Sequence, residues 1–183
     1  MHITNFKFIR RMISFCRHQS FLLFSLLVLL ASFSLSAQNQ IGADIDGEAA
    51  NDGSGRSVSI SSDGSRVAIG ATGNDGNGSN SGHVRIYDYN GSAWVQVGAD
   101  IDGEAANDSS GYSVSISSDG SRVAIGATGN DGNGSSSGHV RIYDYNGSAW
   151  VQVGADIDGE ATSDNSGYSV SCLLYTSPSP RDS

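Results

Sequence analysis

Between Gln38 and Ser171 the chain has no cysteine and no lysine, and both prolines lie after Ser171. Without cysteine, disulfides cannot stabilise this segment, so its stability must come from packing or bound ions. The segment carries 18 acidic residues and five arginines, a net charge of −13. This charge repels phosphate groups and anionic lipid surfaces. We therefore expect no nucleic-acid partner, and no membrane contact beyond an N-terminal leader.

The segment also lacks the apolar spacing of an amphipathic helix. Apolar residues alternate instead with small or polar residues, which predicts β-strands. Tight turns are predicted at Ser62–Ser65 and at Asn90-Gly91, the latter being a strong two-residue hairpin signal. The strands predicted from this pattern are residues 57–61, 66–71, 83–89 and 93–97.

A repeat of constant length organises the chain. Residues 44–99 recur as residues 100–155, and the pattern begins again at residues 156–171. The first two copies differ only where Gly53, Arg56 and Asn80 meet Ser109, Tyr112 and Ser136. A fixed period indicates stacked modules, and any site in one module is present in the next. This argues against a single catalytic centre, so we expect no enzyme activity.

Four short antiparallel strands in tandem predict an all-β fold made of β-propeller blades, with about two and a third blades present. In the first two strands of each unit, valine and isoleucine side chains share one face, and serine, alanine and glycine occupy most of the other. We expect the bulky face of one blade to pack on the small face of its neighbour. A β-solenoid is the alternative architecture.

The two ends of the chain have different character. Residues 1–37 combine a basic start, an apolar run of about 15 residues and small residues before Gln38, which predicts a signal peptide and a secreted or cell-surface protein. An uncleaved signal anchor is the alternative, and residues 38–43 form a short lead-in. Residues 172–183 resemble a translated sequencing adapter, so we expect the natural product to be longer.

The repeat resembles a known family. Ser110–Ile116, the turn at Ser118–Ser121 and the strand Val123–Ala127 are similar to the FG-GAP repeat of integrin α-subunits and bacterial surface proteins. Here the Phe-Gly element is replaced by Ser-Gly-Tyr, and Gly-Ala-Pro by Gly-Ala-Thr. The resemblance implies a β-propeller with calcium in the first hairpin loop. In this chain that loop is only Ser62–Ser65, and its one carboxylate cannot supply six to eight oxygens.

Two other groups of oxygens are candidate calcium sites. The first has side-chain oxygens at alternate loop positions, like the start of a calcium loop, but lacks its glycine and closing glutamate. Its residues are Asp75, Asn77 and Ser79, with Asp131, Asn133 and Ser135 in the second copy. The second is a cluster of acids that repel one another unless a cation or solvent intervenes. It comprises Asp44, Asp46 and Glu48, with Asp52 nearby, and the equivalent Asp100, Asp102 and Glu104 of the second copy. A flexible polar loop and a solvated surface are the alternatives.

Histidine and tryptophan complete the candidates. His83 and His139 occupy equivalent positions at strand starts, where we expect surface or strand-edge histidines. Trp94 and Trp150 are candidates for stacking on a sugar, with packing as the alternative. These features together predict an exported scaffold for adhesion or for binding a protein or glycan. The alternatives are a calcium-dependent lectin and a propeller enzyme whose active site lies outside this sequence.

Overall fold

The structure, a computed structural model, describes residues 39–172. The chain divides into two units, Met1–Gln40 and Ile41–Ser183, and the strands of the described residues lie in the second. The predicted signal peptide and almost all of the predicted adapter segment fall outside the described residues. Within those residues, no helix has the length and apolar character that crossing a membrane requires.

Ten strands follow one another along residues 54–158. Each long strand of the first copy has its counterpart at the equivalent position of the second. The strands are β1 Ser54–Ile60, β2 Arg66–Ala71, β3 His83–Tyr89, β4 Trp94–Gln96, β5 Ile101–Asp102, β6 Ser110–Ile116, β7 Arg122–Ala127, β8 His139–Tyr145, β9 Trp150–Gln152 and β10 Ile157–Asp158.

The strands form two antiparallel sheets of the same design. In the first sheet β1, β2 and β3 are neighbours in order, and two short strands share the outer edge of β3. One of them, β4, pairs with the end of β3, and the other, β5, pairs with its start at His83 and Val84. The second sheet repeats this arrangement with β6 to β10. The sheets are adjacent blades of an incomplete β-propeller, which confirms the predicted fold class.

Sequence repeat and sheet are offset from each other. Strand β5 belongs to the second sequence copy, yet it completes the first sheet. Strand β10 has the same relation to the second sheet. Each sequence copy therefore begins on the outer edge of one blade and then supplies the inner strands of the next.

The core lies between the two sheets. Val114 and Ile116 of β6 are 8% and 6% exposed, and they share a cluster with Ala68, Val84 and Ile86 of the first sheet. The equivalent Val58 and Ile60 of β1, which have no preceding blade among the described residues, are 59% and 56% exposed. This confirms that the bulky face of one blade packs on the small face of its neighbour.

Gly70 sets how closely the blades approach. A Cβ atom at Gly70 would lie 2.2 Å from the carbonyl oxygen of Gly111 in the next blade. The Ser57 hydroxyl donates a hydrogen bond to that same oxygen at 2.8 Å. Only a residue without a side chain allows the strands to come so near.

The antiparallel order separates two edges of each blade. The turn edge carries the short turns between β1 and β2 and between β3 and β4. The loop edge carries the long connection from β2 to β3 and the segment that enters β1. Like edges meet across the blades, because Ser62 donates its N–H to the Ser118 carbonyl at the turn edge, and Ser109 donates to Asn80 at the loop edge.

Candidate functional site

The loop edge of the first blade contains an open cleft of about 390 Å³. Its walls are the segment that enters β1, residues 48–52, and part of the β2–β3 loop, residues 73–80. Glu48, Asp52 and Asp75 line it, so the cleft is acidic. Glu48 also reaches a buried histidine behind this wall.

That histidine is His83, the first residue of β3, and it is only 1% exposed. The expectation of a surface or strand-edge histidine is therefore wrong, because β2 and β5 pair with this end of β3 on its two sides and the segment entering β1 covers it. Its Nδ1 atom has no hydrogen-bond partner. It lies 3.6 Å from Asp100 Oδ2 and 3.9 Å from Glu48 Oε2, both beyond hydrogen-bonding distance.

The second blade repeats the arrangement. His139 is 1% exposed, and its Nδ1 is also without a hydrogen-bond partner. It lies 3.9 Å from Glu104 Oε2 and 3.6 Å from Asp156 Oδ2, while Asp158 Oδ1 is at 4.0 Å. In each of the two groups, the one nitrogen and two carboxylate oxygens lie within 4.8 Å of one another. We call these groups the His83 cluster (Glu48, His83, Asp100) and the His139 cluster (Glu104, His139, Asp156).

An arginine stands beside each cluster. Arg85 Nη1 lies 3.6 Å from Glu48 Oε1, the oxygen that faces away from His83. The same guanidinium donates from Nη2 to the Asp46 carbonyl at 2.7 Å. Likewise, Arg141 Nη1 lies 3.6 Å from Glu104 Oε1, and Arg141 Nη2 donates to the Asp102 carbonyl at 2.7 Å. These arginines fix the orientation of the glutamates and offset part of the local negative charge.

The His139 imidazole is favoured in its neutral form. Burial lowers its pKa, and the Arg141 guanidinium lowers it further, against the opposing effects of Asp156, Glu104 and Asp108. A neutral imidazole keeps a lone pair on one nitrogen, and such a lone pair can bind a metal ion.

One short segment serves both clusters. Asp100 reaches His83 in the first blade, and Glu104, four residues later, reaches His139 in the second. The offset between sequence repeat and sheet explains this, because residues 100–104 leave the outer edge of one blade and enter the next.

The acids singled out in the sequence separate into different environments. Glu48 and Asp100 meet at His83, and Glu104 meets Asp156 at His139. Asp46 and Asp102 contribute backbone carbonyls to the arginines, and Asp44 is exposed. Asp52, in contrast, is buried and accepts hydrogen bonds from the Ala49 N–H and the Asn74 amide. Acids that lie close together along the chain are thus distributed over different environments, and calcium binding by them stays a prediction.

The β2–β3 loop is tied down by its own polar side chains. Asp75 accepts the Asn80 N–H at 2.8 Å, and Ser79 accepts the Asn80 amide at 3.3 Å. The Asn77 amide donates to the carbonyls of Gly103 and Glu104, which links this loop to the next copy. In the second copy Asp131 accepts the Ser136 N–H, Asn133 donates to Gly159, and Ser135 is exposed. Calcium binding by these residues stays a prediction.

The indole N–H of each tryptophan donates a hydrogen bond to a backbone carbonyl. Trp94 donates its indole N–H to the Ile41 carbonyl, and Trp150 donates to the Val97 carbonyl. Each ring lies beside a tyrosine, with centroids 5.3 Å apart for Trp94 and Tyr89 and 5.2 Å apart for Trp150 and Tyr145. Trp150 also packs against the core. Sugar stacking by either residue stays a prediction.

The short first hairpin is closed by its own aspartate. Asp63 Oδ1 accepts from the Ser61 hydroxyl at 2.7 Å and from the Ser65 N–H at 3.0 Å. These hydrogen bonds, with those of the Ser65 hydroxyl, lower the pKa of Asp63 to about 2. Asp119 in the second copy has the same partners and the same lowered pKa of about 2. The carboxylate thus acts within the turn, where its oxygens are occupied.

Sequence reasoning considered the histidines and the acids separately and missed their convergence. One signal was available, because both kinds of residue recur with the same period and flank the same strand. Their proximity depends on the pairing of β5 with the start of β3. Strand β5 has only two residues, too few to show an alternating pattern in the sequence.

Comparison with protein families gives one match, to the FG-GAP repeat, at residues 39–87 and 99–143. Comparison with curated protein sequences found no significant match. The two matched segments together span just over half of the chain, and each covers the first two long strands of one sheet and most of the third, β3 or β8. The chain therefore belongs to the FG-GAP repeat family, as a propeller-type binding or scaffold module.

Proposed function

We propose that the protein is an exported, non-catalytic adhesion or binding scaffold that contacts a protein or glycan through its loop edge. The observation that carries the proposal is the repetition of this edge. Two adjoining blades each present a nearly identical polar loop at this edge, residues 72–82 and residues 128–138. A partner that fits one loop meets a second loop that differs only in having Ser136 in place of Asn80, and two linked weak contacts give a higher combined affinity.

The loops are suited to recognition because they are exposed and yet internally braced. The Asn77 amide ties the first loop to Gly103 and Glu104, and Asp75 holds the Asn80 N–H. A loop that is already ordered loses less conformational freedom when it binds a partner. Surface loops on a rigid scaffold are also the usual location of binding residues.

The test uses the purified chain, fluorescently labelled, on an array of glycans and extracellular proteins. Ser79→Arg combined with Ser135→Arg places a bulky cation on both exposed loops. The matched control is Ser92→Arg with Ser148→Arg, which changes two exposed residues at the turn edge. We expect the loop-edge pair to weaken binding at least tenfold and the turn-edge pair to leave it unchanged.

Two outcomes would contradict the proposal: no binding to any glycan or protein on the array, or equal loss in the two variant pairs. Repeating the assay with a calcium chelator and with Trp94→Ala tests the lectin form of the proposal. If binding to the glycan spots is lost both with the chelator and in Trp94→Ala, the partner is a carbohydrate.

Export is proposed from residues 1–37 and has its own test. Expressed in a secreting bacterial host, the protein should appear outside the cytoplasm with Gln38 as its N-terminal residue. Intact mass and N-terminal sequencing measure this directly. Retention of residues 1–37 in the membrane fraction would instead support the signal anchor.

A further inference from the structure

We propose that the His83 cluster and the His139 cluster each bind one divalent transition-metal ion of the zinc type. The inference is independent of the adhesion proposal and concerns a different property of the same blades. It rests on the convergence of two carboxylates on a buried histidine nitrogen that lacks any other partner.

The first step is the unpartnered nitrogen. His83 and His139 are each 1% exposed, and a buried polar atom without a hydrogen bond is costly. Protein structures pair nearly all such atoms, so each exception calls for an explanation. In both blades the nitrogen points at two carboxylate oxygens, which lie at 3.6 and 3.9 Å.

The second step is the spacing of the three atoms. Ligands held about 2.0–2.1 Å from Zn²⁺ in a tetrahedron lie about 3.4 Å apart. The observed separations from Nδ1, 3.6 and 3.9 Å, are too long for hydrogen bonds and close to this value. All three atoms lie within 4.8 Å of one another, so a bound ion would draw the two carboxylates towards the imidazole and towards each other.

The third step is the choice of ion. Ca²⁺ and Mg²⁺ prefer all-oxygen sites, whereas an imidazole nitrogen with two carboxylates suits Zn²⁺ and its neighbours in the first transition row. Three protein ligands leave room for water or, at the His139 cluster, for Asp158 at 4.0 Å from Nδ1. Glu48 is 44% exposed and lines the open cleft, which gives an ion a path from solvent.

The fourth step is the surrounding charge. Two carboxylates face each histidine, and one guanidinium faces the outer oxygen of each glutamate. At the His83 cluster the Asn74 amide also approaches Glu48 Oε2, at 3.5 Å. Two carboxylates and one guanidinium give each site's charged neighbours a net negative charge, which favours a cation. The arginines orient the ligating glutamates, as outer partners of metal ligands commonly do.

The experiment titrates the metal-free full chain with Zn²⁺, and separately with Ca²⁺, by isothermal titration calorimetry. We expect two Zn²⁺ ions per chain. Glu48→Gln and Glu104→Gln should each remove one site or weaken it more than tenfold, and the double variant should lose both. Asp75→Asn with Asp131→Asn is the matched control, because it removes two nearby exposed carboxylates and should leave Zn²⁺ binding unchanged.

A second measurement reports on the histidines directly. Long-range ¹H–¹⁵N spectra should show the Nδ1 resonances of His83 and His139 shifting on Zn²⁺ addition in the parent chain, and not in the double glutamine variant. Three results would overturn the proposal. They are Zn²⁺ binding equal in the parent and the double variant, no shift at Nδ1, or no Zn²⁺ binding at all.

Discussion

The guanidinium of Arg66 in the first blade donates a hydrogen bond from Nη1 to the carbonyl of Gly120 in the second, at 2.9 Å. Arg66 also pairs with Asp88 in its own sheet and lies over the ring of Tyr145 at 4.9 Å. The equivalent Arg122 pairs with Asp144 but has no following blade of the same extent beside it. The Arg66 side chain is 15% exposed and the Arg122 side chain is 53% exposed. Equivalent arginines thus lie between two blades in the first copy and at the surface in the second.

We expect Arg66→Ala to destabilise the chain more than Arg122→Ala does. The first removes a charged hydrogen bond between blades and the packing on Tyr145, which costs about 2 kcal/mol. The second removes an exposed ion pair, which contributes little to stability because solvent screens it. Urea unfolding followed by tryptophan fluorescence measures both. Equal losses would show that Arg66 does not couple the blades.

A second matched pair tests the apolar interface. Ile116→Ala should cost about 2–5 kcal/mol, because it opens a cavity between the sheets. Ile60→Ala, at the equivalent exposed position, should change the free energy of unfolding by less than about 1 kcal/mol. Both variants delete the same atoms from the same local sequence, so the difference measures burial alone. Similar values would mean that the blades do not pack as described.

The closeness of the blades at Gly70 is tested by Gly70→Ala. Its new methyl group would meet the Gly111 carbonyl, so the strands must separate. We expect faster hydrogen exchange at interblade amides, including the Ile116 N–H that Ser59 accepts. Gly91→Ala is the control, since its φ is +95° and open space surrounds it, which strains the backbone without touching the interface. Unchanged exchange at Ile116 in Gly70→Ala would contradict the expectation.

The serine-bound aspartates predict a particular response to acid. Asp63 and Asp119 have a pKa of about 2 in the folded chain, below the usual 3.8. A lowered folded pKa stabilises the fold at pH values above the unfolded pKa, and this contribution is lost as the pH falls through about 4 towards 2. The urea midpoint of the parent should therefore fall over this range.

Asp63→Asn with Asp119→Asn provides the comparison, because asparagine has no carboxylate to protonate and keeps an oxygen acceptor for the turn. Its urea midpoint should fall less than that of the parent between pH 4 and pH 2. Carbon-detected NMR titration should also place both carboxylates below the usual aspartate range. A titration near 3.8 for either residue would rule out the strong hydrogen bonding in the turn.

Local pattern was sufficient for much of the fold. Strands β2 and β3 have the bounds expected from alternation, because their turns are marked by Asp63-Gly64 and Asn90-Gly91. Strand β1 begins three residues before its predicted start, since an irregularity between Ser54 and Ser57 interrupts the alternation. Val114 is buried because the first blade covers it, and Val58 is exposed because no preceding blade lies among the described residues. The stacking of blades predicts this difference.

The candidate site was harder to predict, because it depends on contacts between distant segments. His83 lies at a strand start, where a polar residue is normally solvated, and only the covering segments 44–53 and 100–104 bury it. The acids were recognised as a group by their proximity along the chain. In the fold these acids lie in different blades. The chain crosses from the first blade to the second between Asp100 and Glu104, so the two carboxylates reach different histidines.

The dual role of residues 100–104 restricts how this protein can change. Inserting or deleting one residue between Asp100 and Glu104 would move one of these two carboxylates away from its histidine. If the chain kept Asp100 in place, the cluster in the second blade would lose Glu104, and if it kept Glu104 in place, the cluster in the first blade would lose Asp100. Copying an entire period preserves every such relation at once. Lineages carrying this architecture should therefore vary freely in how many units they possess and hardly at all in the length of this linker.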